Sequence, residues 1–214
     1  ASQRQLQGIP GGTVYTPRDL TSRVSDLLAL TADMEGGKPY DVKVVPVEPG
    51  TRASLRADFE LVFFATSHWV ETLGSRLDWH RRRLRPELAG EPEEEIRRRR
   101  IAGGTITEDV EVPLLAYLAD TGPEVFDRQP ELLAAEVLVV ECTFLRPADL
   151  ERARRFGHMH LHDLVELAPR LANRHLVVTH LSRRHRLGAG TAGIRRALAG
   201  RLAGELHTLN VEWE

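Results

Sequence analysis

Hydrophobic and polar positions fall into blocks along this chain, and each block has its own period. Residues 13–17 read as a short strand stopped by Pro17. From Arg18 the apolar spacing changes to Leu20, Val24, Leu27 and Leu28, the period of a helix reaching about Leu30. Residues 42–47 alternate as a strand before the turn at Pro49-Gly50, residues 61–65 form a second, and residues 72–77 read as the strand returning from the loop between them. From Trp79 to Gly104 the chain turns charged. There Glu93, Glu94 and Glu95 face Arg97 to Arg100 at the spacing of intrahelical ion pairs, which predicts a solvated helical insert over 79–104.

Strands and helices then take turns. Strands are expected at 114–118, 136–141 (led into by residues 131–135) and 175–178. Helices are expected near 148–156 and 161–171, followed by a helical stretch around 194–206 and a strand-like end at 209–213. Runs such as Val137-Leu138-Val139-Val140 and Leu176-Val177-Val178 are apolar without alternation, as strands covered by helices are. An α/β layered domain follows, with no internal repeat.

Three of these runs end in a polar triplet: Thr66-Ser67-His68, Ala119-Asp120-Thr121 and Thr179-His180-Leu181. Three buried strands sharing one edge would bring imidazole, carboxylate and imidazole together, a donor set suited to zinc with a position left for water. The plainer alternative is three strand-end polar residues that share no site. Glu141 closes another apolar run, and Gly157-His158-Met159-His160-Leu161-His162 precedes a helix. A carboxylate that orients an imidazole makes a proton donor for a leaving alkoxide, which pairs Glu141 with His158. His160 and His162 read as a helix cap or a surface patch.

Composition narrows the picture only at a few points. At 214 residues the chain is one large domain or two small ones, and its 42% hydrophobic and 28% charged residues are those of a globular protein. The single cysteine, Cys142, excludes an internal disulfide and suits a reducing, cytoplasmic compartment. No run is long enough to span a bilayer, the opening residues carry no apolar leader, and neither a Walker-type nor a dinucleotide glycine loop occurs. Net charge is −2, yet arginines cluster at Arg81 to Arg83 with Arg85, at Arg97 to Arg100, and at Arg183 and Arg184 with Arg186. The first two clusters read as solvated faces. The third follows His180 and suits a phosphate ester.

Taken in order, Thr66-Ser67-His68-Trp69-Val70-Glu71-Thr72-Leu73-Gly74, Leu118-Ala119-Asp120-Thr121-Gly122, Val140-Glu141-Cys142-Thr143-Phe144, Gly157-His158-Met159-His160 and Leu176 through His185 resemble the ribonuclease Z family, zinc phosphodiesterases of the metallo-β-lactamase fold that mature tRNA 3′ ends. Residues 2–8 and 13–17 resemble the segment beyond that family's main metal motif. The resemblance implies an αββα sandwich present as its C-terminal larger part, a single domain over 1–214. It implies His68 as ligand of a first zinc, Asp120 as the carboxylate bridging two zincs, His180 as ligand of the second, and His158, held by Glu141, as proton donor. Two such ions would activate a hydroxide and hold the scissile phosphate near Arg183 and Arg184. Manganese and iron also suit these donors.

The expected substrate is RNA, a tRNA precursor, or a small phosphodiester; no membrane is implied and a homodimer is left open. The family's His-x-His-x-Asp-His motif is absent and no histidine precedes His68, so the chain is expected to be N-terminally incomplete, to bind zinc poorly and to be inactive alone. It should then expose a strand edge near residues 13–15 or 42–47. Ala119 stands where glycine is usual, Trp69 where a basic residue is common, and no glycine- and proline-rich arm follows His68. Two rivals remain: a sibling hydrolase acting on a cyclic nucleotide or other small ester, and a non-catalytic binding module.

Overall fold

The computed structural model of the chain describes residues 1, 7–182, 184 and 186–209. Among them the strands form two sheets, one of two strands and one of seven. In the first, β1 (Gly12–Pro17) pairs in parallel with β2 (Val42–Val47). They are connected through a 3-10 turn at Arg18–Leu20 and α1 (Thr21–Met34), which runs one turn past the expected Leu30. No third strand flanks β1 and β2 among the described residues. Val14, Leu27, Leu30 and Met34 are all exposed there. Apolar surface thus lies open on α1 and at Val14 of β1.

The second sheet runs β3 (Arg52–Arg56), β4 (Phe59–Ala65), β5 (Leu73–Leu84), β6 (Thr107–Tyr117), β7 (Val137–Glu141), β8 (His175–Thr179), β9 (Glu205–Thr208), in that spatial order. Its first four strands are antiparallel and its last four parallel, with β6 belonging to both halves. Parallel neighbours need crossovers, and these supply the helices: α3 (Val125–Arg128), α4 (Leu150–Phe156), α5 (Leu161–Leu167) and α6 (Leu187–Leu198). Leu138, Val140, Leu176 and Val178 pack with Phe126, Leu132, Leu164, Leu167, Ile194 and Leu198 in one core. Each such side chain withdrawn from water contributes about 1.5–3 kcal/mol. Among the described residues no helix is long and apolar enough to cross a membrane.

The opposite face of the same sheet carries a continuous row. Strand pairing places Phe63, Ser75, Tyr117, Val139, Val177 and His207 side by side across it. At one end Tyr15 of β1 meets Phe63, ring centroids 5.1 Å apart, so the small sheet covers that end. Farther along, Tyr117 is 46% exposed. The layered α/β class expected from the pattern is therefore present, with one face of the large sheet under helices and the other partly covered by the small sheet.

Two expectations change. The insert over 79–104 is mostly not helical: β5 continues to Leu84 and α2 (Glu93–Ile101) is confined to the tip. Beyond the sheet β5 and β6 form a two-stranded ribbon wet on both faces, so the usual alternation gives way to charge, and register sets Arg82 against Asp109 and Arg83 against Glu108. Those pairs lie at 3.6 and 2.8 Å. On α2 the expected ion pairs do form, from Glu95 to Arg98 and Arg99 at 2.7 and 3.3 Å. The helix expected over 194–206 instead ends at Leu198, after which Gly200 takes φ +66° and the chain enters β9. Leu202 and Leu206 mimic a helical period because both reach the core from a turn and a strand. Of the strand expected at 209–213, Leu209 donates its N–H to the Val178 carbonyl, and residues 210–213 lie outside the described residues.

Candidate active site

Four strands of the large sheet end in loops that meet. The loop after β4 carries His68, the one after β6 carries Asp120, β7 ends at Glu141, and His180 directly follows β8. Hydroxyls and amides tie them together. Thr66 Oγ1 donates to the Asp120 carbonyl at 2.9 Å, and Ser67 N–H donates to Thr121 Oγ1 at 3.0 Å. Cys142 N–H reaches the Thr179 carbonyl at 3.0 Å. The loop after β4 is thus tied to the one after β6, and the end of β7 to that of β8.

Glu141 is the hub. Its carboxylate is 1% exposed and accepts from Thr121 N–H at 2.9 Å, from the Thr143 N–H and hydroxyl, and from His158 Nδ1 at 2.6 Å. Burial would push its pKa up, but the hydrogen bonds from His158 and Thr143, with the His180 imidazole nearby, outweigh burial and hold it down at about 2. It is therefore a fixed anion. The His158 ring, which Nδ1–H anchors to that anion, keeps Nε2 on its far side free for proton transfer.

Beside this pair, His180 Nδ1 lies 3.1 Å from Asp120 Oδ1 and 3.0 Å from Thr143 Oγ1. The carboxylate of Glu141, at 3.9 Å, raises the His180 pKa against the effect of burial, and Asp120 adds to it. Asp120, Glu141, His158 and His180 offer ligand atoms all within 4.8 Å of one another. His68 joins at the edge: its ring centroid is 4.9 Å from that of His158. His68 Nδ1 lies 3.2 Å from the Val70 carbonyl, and a proton donated there leaves a lone pair on Nε2. That Nε2 is buried with no hydrogen-bond partner. An orphaned basic nitrogen beside clustered carboxylate and imidazole is what a divalent cation would satisfy. The separation of 2.6 Å between His158 and Glu141, by contrast, is a hydrogen bond, which commits those two to each other.

The backbone is strained where the site requires it. Among the described residues, the non-glycine positions with positive φ are Ala119 (+53°) and His180 (+56°), immediately before and at two of the donors. Gly157 caps α4 at φ +66°, and a Cβ there would stand 2.4 Å from the Ser67 carbonyl oxygen and 2.7 Å from His68 Cα. Glycine is thus what lets the His158 loop lie against the His68 loop.

The donors picked out by sequence therefore meet as follows. Asp120, His180, Glu141 and His158 form one cluster, with His68 against it. Arg184 is exposed in the turn after Ser182, and Arg183 lies outside the described residues, as do residues 2–6 of the opening segment. His160 caps α5, its ring accepting from His162 N–H at 3.0 Å while its own N–H donates to the Asp163 carboxylate, so it belongs to the helix terminus. Sequence reasoning missed Thr121 and Thr143, which clamp Glu141, and Arg128, whose guanidinium donates to the Ser67 hydroxyl. The available signal was local: a threonine one or two residues after each strand-end carboxylate.

A family described as the beta-lactamase superfamily domain matches residues 4–181. Over 187 residues, 86% of the chain, the sequence is 27% identical to the chloroplastic tRNase Z TRZ2 of Arabidopsis thaliana, of which 52% is covered. To tRNase Z TRZ1 of the same plant it is 26% identical over 185 residues, covering 85% of the chain and 66% of that protein. The metallo-beta-lactamase fold protein YhfI from Bacillus subtilis superposes with a TM-score of 0.59 at 17% identity, over 96% of this chain and 65% of that one. The chain spans between about half and two thirds of the length of the curated relatives it matches.

Proposed function

This chain belongs to the beta-lactamase superfamily, and from that premise we propose that it is part of a zinc-dependent phosphodiesterase acting on RNA, with a 3′-extended tRNA precursor as substrate. Likeness to two tRNases Z supports the substrate class. The observation that carries the chemistry is the His158–Glu141 pair at 2.6 Å, set against the Asp120–His180 pair at 3.1 Å.

Asp120, His180 and His68 would hold the cation. Bound there, zinc would supply Lewis acidity toward a phosphate oxygen and make water more acidic. The protein's own part is proton handling and placement. Glu141 keeps its charge and orients His158, whose Nε2 delivers a proton to the departing ribose oxygen. Thr143, bonded to both Glu141 and His180, fixes the two halves of the site relative to each other. Arg184, exposed after Ser182, and Arg128, bonded to Ser67 beside His68, would offer guanidinium groups to a phosphate.

One observation favours a second reading, a small phosphodiester such as a cyclic nucleotide. Arg82, Arg83, Arg85, Arg98 and Arg99 of the β5–β6 arm are engaged by carboxylates of the same arm, which weakens it as a grip for a polynucleotide. The test is hydrolysis of a 3′-extended tRNA precursor and of bis(4-nitrophenyl) phosphate by the full gene product in zinc. Cleavage of the precursor, slowed at least about a hundredfold by His158→Ala, supports the first reading. Turnover of the small diester alone supports the second, and inertness toward both with metal bound leaves a binding module.

A further inference from the structure

At the other end of β8 a second set of donors converges, with no part in the chemistry above. His175 opens the strand, its partner across the β8–β9 ladder is Glu205, and His207 lies two residues further along β9, on the same face. His175 Nδ1 is 3.1 Å from His207 Nε2. Glu205 Oε2 is 3.5 Å from the first nitrogen and 3.6 Å from the second. The point equidistant from these three atoms lies about 2.0 Å from each, the bond length of zinc to imidazole nitrogen and carboxylate oxygen. The three atoms are thus already spaced for one shared cation.

We propose that His175, Glu205 and His207 form a second binding site, separate from the first, for a divalent transition metal. Two imidazoles to one carboxylate select zinc, cobalt, nickel or copper over magnesium and calcium, which take oxygen. His175 and His180 stand five residues apart along β8, roughly 16 Å, so the two sites cannot share an ion. The backbone under the new site is already fixed: Glu205 N–H donates to the Arg174 carbonyl and Leu209 N–H to the Val178 carbonyl, both at 2.8 Å. Arg174, the neighbouring cation, turns to Glu136 at 3.4 Å and leaves Glu205 to the histidines. Glu205 and His207 are 73% and 49% exposed, so ions enter from solvent and the remaining coordination positions take water.

Such an ion would join residue 175 to residues 205 and 207, pinning the four-residue edge strand β9 to its neighbour. Binding only to the folded form, it would raise the melting temperature. The role is structural or regulatory, since nothing in the cluster approaches His158.

The test is cobalt(II) titration, followed by visible absorption and thermal melting, of the unaltered chain, of a background with Asp120→Asn and His180→Gln, and of each with His207→Gln or His175→Gln added. The background should keep one equivalent of cobalt, with a higher melting temperature in its presence. Either added substitution should weaken that binding at least tenfold and abolish the shift, and in the unaltered chain should remove one equivalent. Circular dichroism of the metal-free variants checks their fold, and two alternative substitutions guard against one failing. A background that binds no cobalt, or binding that survives both His207→Gln and His175→Gln, overturns the proposal.

Discussion

At its Thr179 end, β8 delivers His180 into a cluster whose central carboxylate is 1% exposed, whose backbone is strained at Ala119 and His180, and whose loops are tied by threonines. At its His175 end the same strand contributes to a cluster lying on an ordinary parallel ladder, with Glu205 and His207 open to water. The two donor sets resemble each other in composition and differ in what folding demands of them. In the first, every buried polar atom needs a partner, because an unsatisfied one costs about 1–3 kcal/mol, so the donors are locked into a network that folding must assemble. In the second, the two imidazoles meet each other at 3.1 Å and the donors lie partly open to solvent, so folding demands little of them. The first site should therefore be coupled to stability and the second nearly uncoupled, and substitutions at the two ends test that difference.

The largest effect is expected at Glu141. Glu141→Ala leaves the amides of Thr121 and Thr143, the Thr143 hydroxyl and His158 Nδ1 without their acceptor, and should lower unfolding free energy by about 3 kcal/mol or more in urea titration. Cys142, fully buried, reports the same event: burial, and after it the Glu141 charge, push its thiol pKa up, so it should resist alkylation in the native chain and react in the variant. A loss below about 1 kcal/mol would mean that the hub is not coupled to the fold.

His158→Ala comes next and separates chemistry from assembly. In the full gene product turnover should fall at least about a hundredfold while zinc per chain, read by elemental analysis, stays the same. Zinc lost along with activity would make His158 a ligand and undo the assignment of the Glu141 pair.

A smaller, opposite-signed pair probes the strained backbone. Gly157→Ala should destabilise by at least about 1 kcal/mol, since φ +66° and contact with the Ser67–His68 backbone both oppose a Cβ. Ala119→Gly should stabilise by roughly 0.5–1 kcal/mol, because relief of a left-handed alanine outweighs the extra freedom of glycine in the unfolded chain. Equal signs in the two melts would show that the loops relax around either change.

The smallest effect belongs to the exposed end. His207→Gln in the metal-free chain should shift stability by less than about 0.5 kcal/mol in the same titrations. A larger loss would mean that the β9 histidine takes part in the fold, and the contrast between the two ends of β8 would narrow.

The sequence by itself determined the strand-end chemistry. Each of His68, Asp120, Glu141 and His180 follows an apolar run, and a buried strand has to surrender its first polar side chain at the sheet edge, so order and local context were enough to nominate them. α1, β1, β2 and β4 were legible from local apolar spacing and from the proline and glycine that punctuate it. Tertiary structure alone decided the rest. The charged stretch around Arg81 to Arg83 is strand because β6 lies beside it, with Asp109 and Glu108 in register, and no local period records a partner 25 or more residues away. Leu206 sits on a strand because β8 offers an open edge to β9. Thr143 became a hub only once β7 and β8 were neighbours, and His175 met His207 only through the β8–β9 register. Contacts between residues distant in sequence follow from which strands pair, and pairing is chosen by the core as a whole.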